Sequence, residues 1–221
     1  MGFRSFSVAT AVLCSLVVAA AGCGSSGSSK GNGGDNSSKK PSGKLTGPKG
    51  TQVKKAMTEF DKNPKNADAC RSLAQSWIAY ASPDAPKKAG DTVKVPKDRN
   101  ASLKKSSETL VKCQALAPKD ENVQQMLAST YMAQGNFKAA APILKTIATA
   151  RKNDANSWYA YGLAESSAGN TTATVSAWTK FLAFAEAKDP RIKQTKDSIA
   201  ALKAEATTKA KAATTTTTTK K

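Results

Sequence analysis

The chain has 221 residues, 34 Lys and Arg against 16 Asp and Glu, a formal net charge of +18, four cysteines and no histidine. Without an imidazole there can be no Ser-His-Asp triad, no His-ligated zinc and no haem attached through Cys-x-x-Cys-His. Of thirteen aromatic residues, two sit at the N-terminus and eleven lie between Phe60 and Phe184, which confines a buried core to roughly residues 51–210.

The first segment is an address. Phe6–Ala21 is apolar or small throughout and follows Arg4. This run is shorter than the ~20 residues of a permanent span, so residues 1–22 are expected to be a removed signal peptide. Ala20-Ala21-Gly22-Cys23 closes the run with small residues before a cysteine. That ending resembles the lipobox of bacterial lipoproteins, with Ala20 where Leu is more usual. The resemblance implies that Cys23 is the lipidated mature N-terminus. It also implies a protein held in the cell envelope on the outer face of the cytoplasmic membrane, or in an outer membrane where one exists. Ordinary signal-peptidase cleavage is the alternative. Gly24–Gly50 holds eight Gly and seven Ser, too little apolar surface to offset the entropy of ordering. Residues 23–50 are therefore expected to form a disordered tether.

Helical spacing begins at Thr51, with Val53, Met57 and Phe60 on one face. Asn63-Pro64-Lys65-Asn66 stops that helix and caps a second one carrying Ala69, Leu73, Trp77 and Tyr80. Ser82–Arg99 interrupts with three prolines, five basic and three acidic residues, and is expected to be a surface insert. Leu103, Leu110 and Cys113–Ala117 restore the period up to Pro118. Beyond it, residues 121–154 align with 155–188 at a displacement of 34. Gly135-Asn136 falls on Gly169-Asn170, Leu127-Ala128 on Tyr161-Gly162, Ala140 on Thr174, and Leu144 on Trp178.

A 34-residue helix–turn–helix period with small residues at fixed places resembles the tetratricopeptide repeat. The large–small pairs, the aromatics Tyr131 and Phe137, and the turn glycines match that family. Glu165, Thr171 and Thr174 depart from it. Residues 67–118 read as one further repeat split by the insert, and Thr51–Lys62 as a half-repeat in front. The fold class implied is all-α, a solenoid of about three repeats over residues 51–188. A capping helix is expected over 189–210, with the stripe Ile192, Thr195, Ile199 and Leu202. A disordered Thr/Lys tail is expected over 211–221.

In that register Cys70 lies in the first turn of one helix and Cys113 near the end of its antiparallel partner. A disulfide between them is expected, with two buried thiols as the alternative. The first helices should line a concave groove. Its exposed positions would be Arg71 and Gln75, then Asn122, Gln125, Ser129 and Met132, then Asn156, Tyr159, Leu163 and Ser166. Amides and hydroxyls suit an extended peptide backbone, with Tyr159 as an apolar platform outside the core.

No nucleophile elbow, Cys-x-x-Cys or carboxylate cluster is present, so no catalytic activity, metal or cofactor is expected. Lysines are dispersed without interleaved aromatics, which argues against nucleic acid. On the helices they read as a solvated face. On tether and tail they suit anionic lipid or wall polymer. The function expected is a lipid-anchored, exported interaction module that binds a protein or peptide. The alternative is a solute- or wall-polymer-binding lipoprotein with a helical receptor body.

Overall fold

The computed structural model describes residues 45–86, 88 and 92–218, with side chains as far as residue 208. The signal peptide, Cys23, most of the tether and the last three residues lie outside the described residues. Among the described residues eight α-helices follow one another: α1 Gly47–Lys62, α2 Ala67–Ala81, α3 Arg99–Leu116, α4 Glu121–Ala133, α5 Phe137–Ala150, α6 Ala155–Ser167, α7 Thr171–Phe184 and α8 Arg191–Thr218. No strand occurs among the described residues. Every extensive helix–helix contact joins chain neighbours, from α1 with α2 through to α7 with α8. That one-dimensional connectivity is a solenoid of stacked helix pairs, with α2/α3, α4/α5 and α6/α7 as the repeats.

Short polar signals define the boundaries. Asn66, Asp120, Asn136, Asp154 and Asn170 each accept a hydrogen bond from the first turn of the following helix, satisfying amides that lack an intrahelical partner. At the two Gly-Asn turns the same dipeptide also ends the preceding helix. Gly135 and Gly169 adopt φ of 72° and 82°, a left-handed conformation that glycine enters without a Cβ penalty. The Asn136 amide then donates to Tyr131 O at 2.8 Å and the Asn170 amide to Glu165 O at 2.9 Å. Each turn thus closes as a Schellman motif.

The core is a chain of three clusters. Val53, Leu73 and Trp77 hold α1 to α2, with Leu45, Met57 and Phe60 packed against them. Cys70, Ala74, Leu110, Cys113, Val123 and Leu127 join α2, α3 and α4. Ala140, Ala148, Trp158, Tyr161, Ala177 and Phe181 join α5, α6 and α7. Within the second cluster, Cys70 and Cys113 form a disulfide with Cα atoms 5.5 Å apart. It staples the two helices separated by the insert, whose Val93 and Val95 are exposed.

In the third repeat the large–small pair is structural. A Cβ placed on Gly162 would lie 2.2 Å from Trp178 Cδ1. The indole fills the space that a side chain would need, and its Nε1 is buried without an acceptor among the described residues. Thr174 takes the alanine position at 0% exposure. Its hydroxyl donates to Asn170 O at 2.8 Å, so the extra polar atom is satisfied locally.

Two boundaries differ from expectation. Helix α1 starts inside the span assigned to the tether, because Leu45 packs on the first cluster and Pro48 pre-sets the first turn. Lys49 then pairs with Asp84 at 2.7 Å and donates to Ser82 O at 2.7 Å, tying α1 to the base of the insert. At the other end, α8 runs to Thr218 and includes most of the tail expected to be disordered. Extending a formed helix avoids a new nucleation cost, and the alanine-rich stretch before the threonines favours it. Thr207 and Thr208 return their hydroxyls to the carbonyls of Lys203 and Ala204, so both are satisfied within the helix.

Candidate partner-binding cleft

Neighbouring first helices α2 and α4 enclose an open cleft of about 540 Å3. Arg71, Gln75 and Ile78 line it from α2, and Leu103 closes one end from α3. From α4 come Asn122, Gln125, Met126, Ser129, Thr130 and Ala133. These α4 positions share one face because they recur at intervals of three and four residues. The floor is aliphatic and thioether, and the walls offer amide and hydroxyl groups.

The cleft is held at both ends. At one end Arg71 donates to Asp120 Oδ2 at 2.6 Å and pairs with Asp68. Asp120 meanwhile caps α4 through its other oxygen, so one carboxylate both starts the helix and anchors the guanidinium. At the other end Gln134 donates to Leu103 O at 2.7 Å and to Ser107 Oγ at 3.0 Å, and Arg99 donates to Ala133 O at 3.2 Å. Gln75 and Asn122 are exposed. Gln75 has only the weak acceptor Met126 Sδ at 3.8 Å, which leaves its amide available to a ligand.

The expected groove residues divide into two groups. Arg71, Gln75, Asn122, Gln125 and Ser129 come together in this cleft. Met132 does not: it packs on the third core cluster, being a turn-fraction away from the Asn122–Gln125–Ser129 face. Ala133, four residues after Ser129, continues the face in its place, and Met126, four residues after Asn122, supplies the cleft's thioether. In the third repeat the expected continuation is taken up by α8. Arg191 donates to Asn156 Oδ1 at 2.7 Å. Its guanidinium lies 4.7 Å from the Tyr159 ring centre and 5.1 Å from that of Phe181. Tyr159 also packs on Trp178 and Phe181, at centroid distances of 6.4 and 5.0 Å. It is therefore a half-buried part of the third cluster and no free platform. Leu163 and Ser166 are exposed but do not line the cleft.

Asp189 holds Arg191 in place through bonds of 2.9 Å to Nε and 2.5 Å to Nη2. The hydrogen-bonded guanidinium keeps the Asp189 carboxyl below the usual carboxylate range. Among the described residues no group of His, Cys, Asp and Glu is arranged to hold a metal ion, and no helix is long and apolar enough to cross a membrane.

No family model and no curated protein matches this chain. Among solved structures it is similar to MamA 41-end from Desulfovibrio magneticus RS-1, with 13% identity, 78% of this chain and 84% of that one covered, and a TM-score of 0.53. It is also similar to MamA AMB-1, with 17% identity, coverage of 69% and 70%, and a TM-score of 0.52. A thermophilic TPR protein of Thermus thermophilus lies further off, at 15% identity, coverage of 68% and 70%, and a TM-score of 0.43. The likeness is one of fold: an all-helical, tetratricopeptide-like solenoid.

Proposed function

We propose that this chain is an exported, lipid-anchored adaptor of the bacterial cell envelope that receives an extended segment of a partner protein between α2 and α4. The observation that carries the reading is the open cleft, where Gln75, Asn122, Gln125 and Ser129 stand over Ile78 and Met126. Amide and hydroxyl groups match a peptide backbone, and the apolar floor takes alternate side chains. The cleft spans two repeats only, since α8 covers the groove side of the third. Export and anchoring rest on the apolar run ending in Ala20-Ala21-Gly22-Cys23. The Cys70–Cys113 disulfide supports the same compartment, because such bonds persist where the environment is oxidising.

Two experiments test the two halves separately. Cys23→Ala is expected to release the protein from the membrane fraction or leave it unprocessed; a variant still cleaved and membrane-bound refutes the anchor. Cross-linking followed by mass spectrometry should place partner peptides on α2 and α4. The double variant Gln75→Ala, Asn122→Ala should weaken capture by about 1–3 kcal/mol. Unchanged capture by that variant, with its melting temperature unaltered, rules the cleft out.

A further inference from the structure

Charge on this solenoid is sorted by helix type. The second helices α3, α5 and α7 carry Arg99, Lys104, Lys105, Lys112, Lys138, Lys145 and Lys180 against one acid, Glu108. The first helices α2, α4 and α6 carry Arg71 alone against Asp68, Glu121 and Glu165. Within the three repeats, six lysines are thereby carried by the second helices and none by the first. Lys105 pairs with Glu108, and Lys180 lies 4.0 Å from the Trp158 ring centre. Lys104, Lys112, Lys138 and Lys145 have no salt bridge among the described residues, and all four are exposed.

The second helices also have a cleft of their own, of about 480 Å3. It lies between α5 and α7, with Lys138 and Lys145 on the α5 wall, Asn170 and Ala173 on the α7 side, and Tyr161 and Glu165 from α6 as its floor. Its floor also holds the Glu165 carboxylate, and burial, followed by the hydrogen bond to Glu165 and its charge, pushes the Tyr161 hydroxyl up to about 12. Lys138 and Lys145 are two helical turns apart, roughly 10 Å along the axis. Two such cations on one wall of an open furrow suit successive charges on a linear chain better than one small anion.

We infer that the α5–α7 furrow and the lysines of the second helices form a binding track for a linear, phosphate-bearing polymer. Lysine binds phosphate as a point charge without demanding a fixed fork geometry, as a repeating and flexible polyanion requires. This track is separate from the α2–α4 cleft and does not depend on the adaptor reading.

The test is binding of the full chain to medium-chain linear polyphosphate at several salt concentrations. Affinity should fall as salt rises, because bound cations are released from the polymer. Lys138→Gln with Lys145→Gln should weaken binding about fivefold or more and lower the salt slope by about one to two. Both side chains are exposed, so the melting temperature should be unchanged. The matched pair Lys54→Gln, Lys55→Gln on α1 should change affinity less than about twofold. Equal losses for the two pairs would show unspecific charge attraction and overturn the assignment. Inorganic phosphate competing at equal phosphate concentration, or binding to phosphatidylglycerol vesicles with none to polyphosphate, would overturn it as well.

Discussion

The α2–α4 and α6–α8 interfaces are both bridged by an arginine, with opposite results. In the first, Arg71 bonds to carboxylates at one end, and the space between the helices stays open. In the second, Arg191 reaches from the start of α8 to Asn156 and spreads over Tyr159 and Phe181. Ile192, Thr195 and Ile199 bring the cap down behind it. The bridge alone therefore does not decide whether a groove exists. Both arginines are ion-paired, and the difference is that the Arg191 guanidinium also lies over two aromatic rings, which fill the space between the helices.

Reduction of the disulfide should have the largest effect on this contrast. Cys70 and Cys113 are 43 positions apart, a closure worth about 4 kcal/mol in the chain-entropy treatment. Urea unfolding with and without reductant should show that loss. Hydrogen exchange should place it in α2 and α3 and leave α6–α8 protected. Gly162→Ala should follow, at about 1–3 kcal/mol from overpacking against Trp178, measured by thermal unfolding. Ala128→Gly at the equivalent place should cost about 1 kcal/mol.

Next comes a pH effect at Tyr161, whose hydroxyl titrates near 12 in the fold against an ordinary 10.0. A raised value means stability that is full below 10 and is lost as pH rises through 12. Absorbance near 295 nm should resolve one late-titrating tyrosine, and Tyr161→Phe should remove both the late step and its share of the alkaline destabilisation. Arg191→Ala should loosen α8 by about 1 kcal/mol and leave α2–α4 unchanged, read by hydrogen exchange. Asp189 gives the same contrast without mutation. Its lowered value means that its contribution is present above 3.8 and disappears as pH falls below it. Exposed Gln75 and Asn122 mark the other extreme: their double alanine variant should alter stability by less than about 0.5 kcal/mol.

Legibility followed sequence distance. The Gly-Asn turns, the 34-residue period and the Cys70–Cys113 pairing are local or repeat-bound, and could be read from spacing and the repeat register. The fate of Tyr159 could not, because Arg191 covers it from 32 positions away. Met132 leaves the groove by a register step of one residue: the face running through Asn122 and Ser129 continues to Ala133. The extension of α8 overrode threonine propensity through continuity with an alanine-rich helix. The lysine track was hidden by linear order, since alternating first and second helices interleaves the two helix types and makes a sorted charge look scattered.

The disulfide also sets how the chain responds to pulling. Because each helix leans mainly on its neighbours, tension entering at the N-terminal end peels α1 from α2 first. The peel then meets a covalent shunt: load passes from Cys70 directly to Cys113 and bypasses the insert. Roughly 150 Å of contour length, 43 residues at about 3.5 Å each, stays stored behind the cross-link. A force–extension trace of the oxidised protein would fall short of the reduced one by that length, and the loop would act as a reserve of slack released only by a reductant.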